Sequence, residues 1–234
     1  MKPYRLAWTS GFPAVSILAS ESEVKRHPAY NDAKAGQALA AGVLVHEMVA
    51  DVVLDRLRPC IADPSTIVAS VHAREATGVN AIPEALADKV ARHLGLRTDA
   101  SLVQTNVVNH TGADGFSRLS RQALFDGVVQ AGESYLMVDD FIGQGGTLAN
   151  FRGYIEAAGG IPLAAVVLTG KPYSATLALS TAMLAELRAK HGQLEDWWRE
   201  RFGFGFEALT ASEARYLSHT ADADTIRGRI VAAQ

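Results

Sequence analysis

The sequence predicts an α/β fold in which helices flank a mostly parallel sheet. Short apolar runs alternate along the chain with segments whose apolar residues recur at helical spacing. Three of these runs, at 65–71, 134–140 and 161–170, have the length and β-branched content of buried parallel strands. Strands that alternate with helices favour a parallel sheet covered on both faces.

Composition and charge exclude several classes of protein. The 234 residues, 48% hydrophobic and 20% charged, suit a globular α/β chain rather than a disordered one. A net charge of −3 disfavours a broad surface for nucleic acid or an anionic membrane. Cys60 is the only cysteine, which excludes an intramolecular disulfide and favours a reducing compartment. Because no apolar run reaches about 18 residues, we expect no membrane span and a cytoplasmic location.

The N-terminal part, residues 1–64, is predicted to hold a strand hairpin followed by helices. Residues 6–20 form an apolar stretch that Gly11 and Pro13 interrupt, which predicts the hairpin. Apolar residues at helical spacing over 29–57 predict two helices, or one long helix loosened at Gly42.

The predicted core, residues 65–170, alternates strands and helices. Its first strand is followed by a helix over 80–96, with Asn80 as N-cap, Pro83 in the first turn and Gly95 at the end. The elements predicted next are a strand at 101–109, a polar loop at 110–130, the strand at 134–140, a glycine loop, a helix at 147–160 and the strand at 161–170.

Residues 171–234 are predicted to form a mainly helical extension. Amphipathic helices are expected at 181–192 and 194–203, and the sequence TASE at 210–213 is a capping box that starts another helix at Ala211. Packing among these helices explains an aromatic cluster more simply than a hood that stacks on a flat heterocycle. The cluster consists of Trp197, Trp198, Phe202, Phe204 and Phe206.

The stretch YLMVDDFIGQGGTL, residues 135–148, sets two carboxylates beside a glycine loop. Asp139 and Asp140 end an apolar strand, and ligands of open α/β sheets bind outside the carboxyl ends of the strands. The loop opens a helix, whose unpaired N–H groups and positive dipole end favour an anion. Leu148 stands where a dinucleotide fingerprint needs glycine, and no Gly-Lys precedes Thr147 as in a P-loop. Because carboxylates accept hydrogen bonds from hydroxyl groups, the pattern predicts a ligand such as a ribose 5-phosphate.

The same stretch resembles the signature of type I phosphoribosyltransferases, in which an apolar strand, two acids and a loop ending in Gly-Gly-Thr follow one another. The element order from about 65 to 168 also matches the core of that family. The resemblance implies a Rossmann-like, mostly parallel sheet flanked by helices, here with appended N- and C-terminal, mainly helical segments. It implies an enzyme that transfers a phosphoribosyl group from 5-phosphoribosyl 1-diphosphate (PRPP) to a nitrogenous acceptor and releases diphosphate.

The resemblance also assigns roles residue by residue. Asp139 and Asp140 bind the ribose hydroxyls and act as the catalytic pair, and Mg²⁺ reaches them through those hydroxyls or through water. The 5-phosphate is held by Gly143, Gln144, Gly145, Gly146 and Thr147. Gln144 departs from the family, which usually has a hydroxyl residue there, although its amide can still donate a hydrogen bond.

Two further segments are assigned to the diphosphate. The family's diphosphate loop follows the first core strand, which places Arg74 and Glu75 beside this group. The flexible lid of the family corresponds in position to 110–130, where Arg118 and Arg121 are candidate diphosphate ligands.

The expected partners are PRPP, an unidentified base or amine and a second copy in a homodimer, whereas neither membrane nor nucleic acid is expected. One alternative is a non-catalytic sensor of PRPP or nucleotides on the same fold, although neither terminus carries a basic DNA-binding element. Another is a competence-type relative, to which the run RLSRQALFDGVV at 118–129 is similar. The cysteine-rich metal module of such proteins is missing, because Cys60 stands alone.

Overall fold

The computed structural model describes residues 2–9, 11–61, 63–72, 74–75, 78–106 and 114–233, with only the backbone at 74, 75 and 78. The strands within these ranges are β1 (Ser16–Ile17), β2 (Ile67–Ser70), β3 (Arg74–Glu75), β4 (Gly78–Val79), β5 (Arg97–Asp99), β6 (Val103–Gln104), β7 (Phe125–Asp126), β8 (Ser134–Ile142) and β9 (Ile161–Gly170). The α-helices within them are α1 (Glu21–Arg26), α2 (Tyr30–Lys34), α3 (Ala38–Met48), α4 (Asp51–Leu54), α5 (Ile82–Leu94), α6 (Gly115–Ser120), α7 (Gly146–Ala157), α8 (Thr181–His191), α9 (Glu195–Phe202), α10 (Ala211–Ser218) and α11 (Ala223–Ala232). Short 3-10 helices lie at Asp55–Cys60, Pro172–Ser174, Gly192–Leu194 and Phe206–Ala208.

A five-stranded sheet organises the molecule, and helices flank it as predicted. Its strand order is β1-β9-β8-β2-β5, and every neighbouring pair is parallel. The long strand β8 lies in the centre between β9 and β2. The carboxyl end of β8, which carries the acid pair, therefore meets the connections that leave both neighbouring strands.

Side chains of β8 point alternately into two hydrophobic clusters, as the strand period of two requires. Leu136 and Val138 join a cluster with α3 and α5, whereas Tyr135 and Met137 join a cluster with α7. Because both faces are buried, the strand reads as a continuous apolar run in the sequence.

Three expectations from the sequence are wrong. The N-terminal stretch forms β1, which pairs in parallel with β9 instead of closing a hairpin. Of the strand expected at 101–109, the described residues 101–106 form only β6, which pairs with β7 outside the main sheet. The edge position goes to the short polar strand β5. The helical region 29–57 breaks after Lys34 and after Met48, while Gly42 lies inside α3.

The C-terminal helices pack around a third hydrophobic cluster. Trp198, Phe202, Phe204 and Phe206 are buried in it, and Trp197 packs against it half-buried. This burial agrees with the packing interpretation of the aromatic residues. Across the described ranges, no helix combines the length and the apolar character that crossing a membrane demands.

Candidate functional site

The acid pair lies near the carboxyl end of β8. Asp139 is buried, with 6% of its surface exposed, and its Oδ1 accepts a hydrogen bond of 2.8 Å from the backbone N–H of Asp140. Burial raises the pKa of Asp139 well above its ordinary value, and the neighbouring carboxylate of Asp140 adds to the rise. The structure thus keeps an electrostatically unfavourable pair of acids where a ligand with hydroxyl groups or a cation would relieve it.

Lys34 supplies part of that relief. Its Nζ lies 3.0 Å from Oδ2 of Asp140 in a mostly buried ion pair. Lys34 ends α2, 106 residues before its partner. Nothing in the local sequence around Lys34 signals this contact, and the sequence prediction missed it.

The glycine loop joins β8 to α7. Gly145 has a φ of 82°, in the left-handed region that glycine adopts without strain, and α7 begins at the next residue. The first N–H groups of a helix have no partner within the helix, so they collect at this turn. The predicted strand, loop and helix therefore stand in the order that an anion site at a helix N-terminus requires.

A cleft of about 710 Å³ opens over the acid pair and the glycine loop. Residues 143–147 all line it, and so do Arg118 and Arg121, which the family resemblance assigns by position to a lid. A Cβ atom on Gly143 would collide with the guanidinium of Arg118, which shows how closely this arginine approaches the loop. The acids, the loop and both arginines are thus gathered in one cavity.

Two more cations line the cleft around Glu21, at the start of α1. Lys25 Nζ lies 2.6 Å from one carboxylate oxygen of Glu21, and Lys171 Nζ lies 2.7 Å from the other. Hydrogen bonds from Lys171 and then Lys25 lower the pKa of Glu21. Lys25 also lies over the ring of Phe141, with 5.2 Å between Nζ and the centroid. The cleft lining therefore carries two further positive charges, each paired with Glu21.

The predicted diphosphate loop is only partly described. Arg74 and Glu75 form β3, which pairs antiparallel with β4. Their side chains, like residues 73, 76 and 77, lie outside the described part of the chain, as do positions 107–113 of the lid region. Their assignment to diphosphate stays a prediction.

The described residues contain no group of three or more His, Cys, Asp or Glu side chains that could hold a metal ion. The acid pair offers hard oxygen ligands, which suit Mg²⁺, but too few of them to enclose it. This donor set fits a Mg²⁺ ion that takes most of its ligands from substrate and water.

Residues from both ends of the chain reach the glycine loop. Arg5 Nη2 donates to the carbonyl of Gly146 over 3.2 Å, and Thr210 Oγ1 donates to the carbonyl of Gln144 over 2.6 Å. Glu213 accepts from Arg5 and from the backbone N–H of Thr210. The capping box at 210–213 forms as predicted, but the sequence did not reveal that it touches the loop.

The chain matches no protein-family model. Among curated proteins it is similar to protein TraN of Escherichia coli, with 38% identity over 231 residues, which cover 98% of this chain and 51% of that protein. It is also similar to an uncharacterized protein of Haemophilus influenzae, with 36% identity over 151 residues, which cover 64% of this chain and 34% of that protein. The chain thus spans about half the length, or less, of these relatives.

Partial matches among solved structures include adenine phosphoribosyltransferase from Rhodothermus marinus. It has a TM-score of 0.39 and 19% identity, over 58% of this chain and 73% of that chain. A hypoxanthine-guanine phosphoribosyltransferase from Bacillus anthracis gives a TM-score of 0.38 and 15% identity, over 56% of this chain and 71% of that chain.

Proposed function

We propose that the protein is a PRPP-dependent phosphoribosyltransferase that transfers a 5-phosphoribosyl group to a nitrogenous acceptor and releases diphosphate. One observation carries the proposal: the acid pair of β8 and the glycine loop at the start of α7 share a cleft with Arg118 and Arg121. This arrangement offers acceptors for hydroxyl groups, donors for a phosphate and cations for a second anionic group.

The acid pair and the glycine loop bind different groups of the sugar phosphate. In the proposed complex, Asp139 and Asp140 accept hydrogen bonds from the ribose hydroxyls. The N–H groups of residues 143–147 and the hydroxyl of Thr147 donate to the 5-phosphate. Because Asp139 is buried beside a second acid, hydroxyl donors or a cation stabilise its charged form, which favours the binding of such a ligand.

The diphosphate is assigned to the arginines. Arg118 and Arg121 neutralise its charge as the bond to C1 of the ribose breaks, and Arg74 of β3 contributes in the same way. Asp139 and Asp140 would hold a Mg²⁺ ion through substrate hydroxyls or water, and the ion would supply additional positive charge for the leaving group. The chain's own task is to fix both ends of the sugar and to exclude water while C1 carries positive charge.

Diphosphate release tests the proposal directly. The protein is incubated with PRPP, Mg²⁺ and a panel of nucleobases and amines, and diphosphate is quantified over time. We expect turnover with at least one acceptor, and its loss in the double variant Asp139→Asn, Asp140→Asn. Asp126→Asn, an exposed acid of β7 that does not line the cleft, is the matched control. If PRPP does not bind at all, the proposed function is wrong.

A non-catalytic sensor of PRPP is the second candidate, and Gln144 favours it. This residue replaces the hydroxyl side chain that the resemblance leads one to expect, and its amide oxygen is buried without a hydrogen-bond donor among the described residues. An amide oxygen cannot donate to a phosphate, so the loop binds with one donor fewer unless Nε2 takes its place. Tight PRPP binding without turnover on any acceptor would select the sensor over the enzyme.

A further inference from the structure

A buried network of side chains from both ends of the chain holds the glycine loop from behind. Its centre is the ion pair of Arg5 and Glu213, with Nη1–Oε2 and Nη2–Oε1 distances of 2.5 Å and 2.8 Å. The Arg5 side chain is completely buried and that of Glu213 is 2% exposed. A two-point pair of this kind is rigid, because the planar guanidinium matches both carboxylate oxygens.

From this centre, contacts reach the carbonyl groups on both sides of Gly145. Arg5 Nη2 donates to the carbonyl of Gly146, and Thr210, whose backbone N–H is held by Glu213 at 2.9 Å, donates through its hydroxyl to the carbonyl of Gln144. Both carbonyls are thus tied to side chains of the terminal segments.

The trans peptide bond turns these carbonyl contacts into an orientation of the N–H groups. In a trans peptide the C=O and the following N–H point in opposite directions, and the described residues contain no cis peptide. A carbonyl of Gln144 directed at Thr210 therefore aims the N–H of Gly145 the other way. In the same manner, the carbonyl of Gly146 points toward Arg5, so the N–H of Thr147 points away from Arg5.

The network also extends to the arginine segment. Arg5 Nε donates to Oδ1 of Asn150 over 2.6 Å, one turn further along α7. Asn150 Nδ2 donates in turn to Gln122 Oε1 and to the carbonyl of Ala123, each over 3.0 Å. These two residues directly follow Arg121. One buried hydrogen-bond network therefore connects the glycine loop to the segment that follows Arg121.

We propose that Arg5 and Thr210 are positioning residues that orient the N–H groups of Gly145 and Thr147 toward the bound 5-phosphate, with Glu213 holding both in place. This inference rests on the proposed function. It gives the appended N- and C-terminal segments a part in phosphate binding, because each supplies one of the two side chains that fix the loop.

Two helix caps provide a matched pair of variants. Thr210 caps α10 and Ser180 caps α8, each through its side-chain oxygen, but only Thr210 also donates to the glycine loop. Thr210→Ala and Ser180→Ala each remove a side-chain cap, so both variants lose a comparable helix-stabilising contact. Any difference between them in ligand affinity reports on the loop contact. Thr210→Ser restores the hydroxyl, and Arg5→Lys keeps the charge at position 5 but loses the two-point pair.

The experiment is a calorimetric titration of ribose 5-phosphate into the full chain and each variant. We expect affinity to fall about tenfold in Thr210→Ala and in Arg5→Lys. Each variant should misorient one loop N–H group, and a tenfold loss corresponds to one weakened hydrogen bond from that N–H to the charged phosphate. Affinity should be unchanged in Ser180→Ala and restored in Thr210→Ser. Equal affinities of Thr210→Ala and the unmodified chain would overturn the positioning role. Failure of the unmodified chain to bind ribose 5-phosphate would instead overturn the proposed function.

Discussion

Replacing Asp139 by asparagine should stabilise the protein while it removes one of the two acids proposed to bind ribose. The substitution keeps the size of the side chain, and Oδ1 can still accept the 2.8 Å hydrogen bond from the N–H of Asp140. What changes is the charge. Asp139 is 6% exposed and lies beside a second carboxylate, so the folded state of the ligand-free protein bears the cost of an almost dehydrated negative charge.

The sign of the pH dependence follows from the raised pKa. The folded protein binds the Asp139 proton more tightly than the unfolded chain, whose aspartate titrates near 3.8. The contribution of Asp139 to stability is therefore fully present below pH 3.8 and is lost as the pH rises through its folded pKa, and asparagine removes this loss. At pH 4 the two proteins should be nearly equal. At pH 8 we expect the variant to be more stable by on the order of 1–2 kcal/mol, the usual scale for a poorly compensated buried group.

Thermal unfolding followed by circular dichroism at pH 4 and pH 8 measures this difference. In a chain of this length, a gain of 1–2 kcal/mol raises the melting temperature by about 2–8 °C. Asp126→Asn, which removes an exposed carboxylate from β7, should change it little at either pH. If Asp139→Asn is no more stable than the unmodified protein at pH 8, the carboxylate carries no buried charge and the reasoning about the receptive site is refuted.

Three further outcomes are expected. Gly145→Ala should lower the free energy of unfolding by about 1–2 kcal/mol, because alanine is strained at a φ of 82° and its Cβ would collide with the buried side chain of Leu177. Gly228→Ala, in open space on α11, should cause no such loss in the same urea titration. Lys34→Met should raise the Mg²⁺ affinity of the acid pair roughly tenfold, as measured by calorimetry. Lys89→Met, which replaces a lysine outside the cleft, should leave that affinity unchanged. Equal Mg²⁺ affinities of Lys34→Met and the unmodified protein would contradict the competing role of the ion pair. Hydrogen bonds from Arg188 and Arg199 lower the pKa of Glu195 to about 2, so its contribution to stability is present above pH 4.5 and lost as the pH falls toward 2. The urea midpoints of Glu195→Gln and the unmodified protein should therefore converge in acid. A constant difference between the two midpoints from pH 7 to pH 2.5 would contradict this prediction.

The part of the site that the sequence predicts is the part built from contiguous residues. The strand β8, the acid pair, the glycine loop and the start of α7 follow one another within about 15 residues. Each has a local signal: burial on both faces makes β8 apolar throughout, and the turn into the helix requires a residue such as Gly145 that accepts a positive φ. Local chemistry therefore determines this stretch.

Contacts between distant segments were not predictable in the same way. Lys34 reaches Asp140 across 106 residues, and Arg5 reaches Glu213 across 208. A lysine or an arginine in the sequence looks the same whether it lies in solvent or in a buried pair, because only the folded chain brings its partner close. For this reason the sequence predicts the acid pair without Lys34, and the glycine loop without Arg5 and Thr210.

The errors in the fold have related causes. The edge strand β5, Arg97–Asp99, is polar and largely exposed, so it lacks the apolar pattern by which strands are found. The short strand β1 pairs with β9, about 150 residues away, and apolar residues around a Gly-Phe-Pro turn fit a hairpin equally well until that partner is known.

The claim that acids bind hydroxyls while the loop binds phosphate is tested most directly by comparing ribose 5-phosphate with 2-deoxyribose 5-phosphate. Both ligands are titrated into the unmodified protein and into Asp139→Asn, Asp140→Asn. Removing one hydroxyl should weaken binding to the unmodified protein by about 1.5–3 kcal/mol, the value of a hydrogen bond to a charged acceptor. In the double variant the two ligands should bind almost equally. A preference for the hydroxylated sugar that survives loss of both acids would contradict the account.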